Sequence, residues 1–182
     1  MSARFRAVLR QELSSNLRRP LFWIWILLLG LLAFGLSRGG VRISSGEAEV
    51  GGTKAWITSE YGVAFVLALL VPAAYGFFVA VVAGMAVIQD EELRVSEFLH
   101  ATRLRPGEYI WAKFTAALIS CLAVLVLHVG LTILFQHAQT DAEAEQYIGP
   151  FALVHYLRPA LVFALPPIVF LAGLAFALGT WT

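Results

Sequence analysis

Residues 61–88 read YGVAFVLALLVPAAYGFFVAVVAGMAVI, 28 positions without a charged side chain. A helix rises 1.5 Å per residue, so about 20 apolar residues cross the ~30 Å hydrocarbon core of a bilayer. This run spans with length to spare for tilt, and Pro72 and Gly76 inside it mark a place for a kink. The whole chain agrees: its 182 residues are 59% hydrophobic and 14% charged, against roughly 25% charged in a soluble domain. That excess of apolar side chain needs lipid as its solvent, and the fold class read from it is an all-α integral membrane protein.

Outward from this run, three further spans follow the same rule. On the N-terminal side, residues 21–37 carry thirteen large apolar side chains before Ser37; at ~0.3–0.6 kcal/mol each their insertion is favourable by about 4–8 kcal/mol. On the C-terminal side lie a span near 113–135, carrying Cys121 and His128, and a last one near 159–181, containing Pro166 and Pro167. The connections at 38–59 and from 136 to about 156 are polar, the first rich in Gly and Ser, and both read as loops. Trp181 ends the last apolar run without a polar flank, so the expectation is an N-terminal part of a longer protein.

Residues 1–20 form the remaining N-terminal part. Phe5, Val8, Leu9, Leu13 and Leu17 share one helical stripe while Arg4, Arg6, Arg10, Gln11 and Arg18 fall elsewhere, the pattern of a basic amphipathic helix lying on a membrane face. Arg18, Arg19 and Pro20 end it. Basic residues before an apolar run also describe a signal peptide, but this preamble is long, and Ser37-Arg38-Gly39-Gly40 contains no A-x-A-like cleavage site. The N-terminal segment holds five Arg and the stretch 89–113 holds four Lys or Arg, against four in the other two loops. That bias puts the N-terminus and residues 89–112 in the cytoplasm.

Residues 89–112 hold the functional signal. Val95, Phe98, Leu99 and Thr102 fall at i, i+3, i+4 and i+7, an apolar stripe on a short helix. Asp90, Glu91 and Glu92 at its start and Arg103 and Arg105 at its end suit the helix dipole, and Pro106-Gly107 stops it and turns the chain. Trp111 then supplies an interfacial aromatic, and Lys113 can snorkel at the mouth of the third span. Such a helix either docks into a groove of a soluble partner or lies on lipid headgroups.

The order of these parts resembles the type 2 exporter permeases of the ABC transporter superfamily. The likeness covers about the first 115 residues and rests on Arg18-Arg19-Pro20, Ser59, Tyr61, Asp90, Glu97-Phe98-Leu99, Thr102, Pro106, Tyr109 and Lys113-Phe114. It implies that residues 1–20 are an interfacial elbow helix, with Arg10, Arg18, Arg19, Trp111 and Lys113 at the membrane surface. It also implies that Glu91, Glu92, Val95, Phe98, Leu99 and Thr102 belong to a cytoplasmic coupling helix seated on an ABC ATPase subunit. ATP then sits on that partner, this chain holds no cofactor, and a second permease half completes the transporter in a bacterial inner membrane. The family usually has six spans per half and four fit here, which points either to the expected continuation beyond Thr182 or to a chain outside the standard pattern. The N-terminal half is also similar to large permeases fused to a zinc aminopeptidase domain, which keeps open a membrane anchor for a peptidase, or a non-catalytic assembly subunit.

Other chemistry finds no motif. Gly51-Gly52-Thr53-Lys54 lacks the spacing of a phosphate-binding loop, no H-E-x-x-H is present, and the four histidines are scattered. Cys121 has no partner for a disulfide. No catalytic or metal site and no nucleic-acid binding is expected. His128, an ionisable group within a span, is a functional candidate by position, with Cys121 seven residues earlier; the simplest expectation is that it faces the bundle and bonds a carbonyl.

Overall fold

Ser2 accepts a hydrogen bond from Phe5 N at 3.1 Å and so starts α1 (Ala3–Arg18). Arg19 takes φ −66°, ψ 136°, the extended conformation favoured before proline, and Pro20 occupies the first position of α2 (Pro20–Ser37), where its missing N–H costs nothing. The computed structural model describes residues 2–51, 57–92, 105–139 and 148–181. Within them the fold is helical apart from one two-stranded hairpin.

The second span begins with Ser59 capping α3 (Glu60–Leu70), accepting from Gly62 N at 3.0 Å. It passes through a π-helical turn at Val71–Tyr75 and continues as α4 (Gly76–Glu92). Pro72 has no N–H for the regular ladder, and the wider turn accommodates that loss without ending the helix. The third span is one unbroken helix, α5 (Pro106–His137), whose 32 residues reach about 48 Å at 1.5 Å per residue. The fourth consists of α6 (Val154–Pro159), a second π turn at Ala160–Ala164, and α7 (Leu165–Trp181). Among the described residues, four helical stretches are thus long and apolar enough to cross a membrane.

Large apolar side chains cover the outside as well as the core. On α2, Phe22, Leu29, Ala33 and Leu36 turn inward, while Trp23, Leu27, Leu28, Leu31 and Phe34 are exposed. A helix apolar on every face is stable where lipid wets the outer one. α5 runs through the centre, packed against α1, α2, α4 and α7, while α3 packs on α6 and α4 on α7. Gly30 lets α2 approach α5 closely, since a Cβ there would lie 3.2 Å from Leu131 Cδ1.

The spans alternate in direction. Arg158–Glu60 at 3.1 Å, Gly149 N to Thr58 Oγ1 at 2.8 Å, and the Gln139 amide on Ser37 O gather the end of α2, the start of α3, the end of α5 and the start of α6. Contacts of Lys113 and Phe114 gather α1, α4, the start of α5 and the end of α7 at the opposite end. α4 therefore ends, and α5 begins, at the end of the bundle where α1 lies.

The loop at 38–59, read from sequence only as polar, contains a hairpin of β1 (Arg42–Ser45) and β2 (Ala48–Gly51), with Ile43 opposite Val50. Gly46 turns it at φ 64°, and Gly51, at φ 106°, has Val41 O only 2.3 Å from where a Cβ would stand. Val50 and Ile57 are buried and pack on Phe65, Val66 and Ile148. Val50 of the hairpin and Ile57 thereby cover one end of the bundle.

Candidate functional site at the charged end of the bundle

Lys113 organises the end of the bundle that carries α1. Its side chain is only 5% exposed. The ammonium donates to Ala86 O at 2.7 Å, lies 3.3 Å from Glu12 Oε1, and sits over the Tyr109 ring at 5.3 Å. One cation thus joins α1, the inner end of α4 and the first turns of α5. A lysine can be buried this way because its long stem packs as hydrocarbon while two oxygens and a ring face satisfy the charge. Next to it, Phe114 meets Phe176 edge-on at 5.5 Å, which adds α7 to the same layer.

The inner face of α1 is built for this contact. Phe5, Val8, Leu9, Leu13 and Leu17 are all partly buried, Glu12 lies among them, and Asn16 is buried. Arg10 and Arg18 are exposed, Arg19 is half-buried at the junction with α2, and Trp111 is exposed beside Phe114. The amphipathic stripe therefore packs along α5. The sequence placed Lys113 at the membrane mouth by its position; its burial depends on Glu12 and Ala86, 101 and 27 residues away.

Glu91 and Glu92 close α4, so the second span's helix runs into the segment from which a separate short helix was expected. Val95, Phe98, Leu99 and Thr102 lie outside the described residues. Arg105 precedes α5, and Pro106 and Gly107 form its first turn, so they start a helix.

A second polar cluster occupies the interior toward the hairpin. The His128 Nδ1 pairs with the Tyr75 hydroxyl at 2.9 Å, both side chains being almost completely buried. The partner is a phenol from the π turn of the second span, whereas a backbone carbonyl was the expectation. Tyr75 is placed there because the π turn ends on it. Nearer the hairpin, the Tyr156 hydroxyl donates to Gln136 Oε1 at 2.7 Å and meets His137 Nε2 at 2.9 Å. Sequence reading put Gln136 and Tyr156 at the edges of a loop. Both lie in helices, where a buried hydroxyl and amide satisfy one another.

No protein-family model, curated protein or solved structure matches the chain. What the fold and its packing define is a multi-pass helical membrane protein whose described residues include a buried ion pair, Lys113–Glu12, and a buried polar cluster around His128 and Tyr156. Among the described residues, no group of three or more His, Cys, Asp or Glu side chains is arranged to hold a metal ion.

Proposed function

We propose that this chain is the transmembrane subunit, or the N-terminal part of one, of an ATP-binding-cassette exporter driven by a separate ATPase subunit. The observation that carries this reading is the Lys113 tie. The spans on either side of residues 93–104 are long continuous helices, and their ends are fixed to each other and to α1 by one buried cation. Movement imposed on the connecting segment passes into α4, α5 and α1 together, because a packed layer moves as a unit before it deforms.

In this reading the α1 end faces the cytoplasm, where nucleotide is available. Phe98 and Leu99 supply the apolar contact to the ATPase, flanked by Val95 and Thr102, with Glu91 and Glu92 at the rim. Arg10 and Arg18 hold α1 at anionic headgroups. The chain itself performs no covalent chemistry; it converts movement of the partner into rearrangement of the spans. A second permease half and the order of parts shared with type 2 exporters belong to the same proposal.

Affinity capture of the tagged protein from its native membranes is the test, read for a co-purifying ATPase subunit. Phe98→Asp with Leu99→Asp should remove the ATPase while resistance to alkaline extraction stays unchanged. Capture of wild-type protein without an ATPase, or undiminished capture with the double variant, refutes the assignment. A peptidase domain downstream with no ATPase partner would replace it with the anchor reading.

A further inference from the structure

Between the hairpin and the His128–Tyr75 pair lies a cavity of about 20 Å³, enough for one water molecule. Leu36, Val50, Ile57, Val63 and Leu67 form its apolar wall, and His128, Thr132, Gln136 and Tyr156 face it. His128, Thr132 and Gln136 stand on successive turns of one face of α5. His128 is 3% exposed, Gln136 3% and Tyr156 0%.

Each of these groups keeps hydrogen-bonding capacity beyond its protein partner. His128 uses Nδ1 for Tyr75, which leaves Nε2 as donor or acceptor according to tautomer. Gln136 accepts from Tyr156 through Oε1, and its amide N–H groups are further donors. Thr132 donates to His128 O at 2.9 Å and keeps acceptor lone pairs. A water needs two to four such partners to be held in a protein interior. We propose that this cavity is a water site at the level of Thr132, through which His128 exchanges its ring proton with the hairpin side of the membrane.

Sidedness follows from what surrounds the pair. Toward the α1 end, His128 and Tyr75 are backed by Phe78, Val79, Cys121 and Val124, all with 0% exposure. Toward the other end, among the described residues, the cover is Val50 of the two-stranded hairpin and Ile57 just before α3. Among the described residues, the titratable groups near His128 are Tyr75 from the second span, Tyr156 from the fourth with His137 on its hydroxyl, and Cys121 on its own helix; α2 and the hairpin line the cavity with apolar side chains, and no charged residue lines it. Exchange swaps one proton on the ring for one on water and needs no co-reactant. The inference is independent of the exporter reading.

The test uses the full chain, labelled with ¹⁵N-histidine and reconstituted in lipid, and measures magnetisation transfer from water to the His128 ring by solid-state NMR. His128→Gln assigns the signal. Wild-type protein should show rapid transfer, and Thr132→Val with Gln136→Leu should lower it several-fold while the Nδ1 shift that reports the Tyr75 bond stays put. Ile57→Ala thins the cover and should speed proton exchange of the ring; Val79→Ala, one turn beyond Tyr75, should not. Absent transfer in wild type, or undiminished transfer in the double variant, overturns the water site. Equal acceleration by Val79→Ala overturns the sidedness.

Discussion

Lys113→Met tests whether one buried cation ties three helices together. At the observed 3.3 Å from Glu12, Coulomb's law gives ~1.3 kcal/mol in the dielectric of water and ~5 kcal/mol at an effective dielectric of 20. Lys113 is 5% exposed and Glu12 22%, so the pair lies between these limits, and the cost of taking both ions from water offsets part of the gain. The hydrogen bond to Ala86 O, being charge-assisted, adds about 1.5–3 kcal/mol. Glu12 keeps some access to water after the substitution, which limits the cost of leaving it alone. The expected destabilisation is about 2–3 kcal/mol, roughly 30- to 150-fold in the unfolding constant. The measurement is reversible unfolding in lipid bicelles, run as a double-mutant cycle with Glu12→Gln. A coupling of about 1–2 kcal/mol is expected, and it should change little in high salt because the pair is shielded from solvent. The exposed pair Arg158–Glu60, with side chains 63% and 39% accessible, is the internal comparator and should contribute under ~1 kcal/mol. A Lys113–Glu12 coupling no larger than that of the comparator would refute the reasoning.

Two further outcomes follow from the other end of the molecule. Tyr75→Phe removes the hydroxyl on His128 Nδ1 but keeps the ring packing, and should cost about 0.6–1.7 kcal/mol in the same unfolding assay; a neutral result would mean that the pair adds nothing beyond shape. Gly51→Ala puts a methyl group where Val41 O lies 2.3 Å away, at a φ that side chains rarely adopt. The hairpin amides at 42–51 should therefore exchange with deuterium several-fold faster while those of α5 keep their protection, and unchanged hairpin protection would contradict the strain.

Single side chains show how far the sequence reaches. The amphipathic stripe from Phe5 to Leu17 was legible because a helix repeats every 3.6 residues, so the spacing of apolar positions alone identifies the packed face. The same reading placed Lys113 at a surface, since a lysine near the end of an apolar run ordinarily reaches water. Its burial needs Glu12 on α1 and the Ala86 carbonyl on α4, neither adjacent in the chain. His128 was legible as an ionisable group in a span, but Tyr75 as its partner was not, because that pairing depends on a π turn displacing the helix face around Pro72. Val50 and Ile57, isolated in a Gly- and Ser-rich stretch, gave no periodic signal; they became a cover only when the hairpin folded onto Phe65 and Val66.

By itself, the order of residues determined that this is a multi-pass membrane protein and, among the described residues, where four helices long and apolar enough to cross the bilayer lie, because the length and polarity of an unbroken apolar run are local properties. Tertiary structure alone decided which polar groups meet inside, namely Lys113 with Glu12 at one end and His128 with Tyr75 deeper in. Lipid and protein interior are nearly equally apolar, so hydrophobicity cannot distinguish the face of a span that turns to a neighbour from the face that turns to the bilayer. Side-chain fit and the pairing of buried polar groups make that choice, and both require helices remote in the sequence to be already side by side.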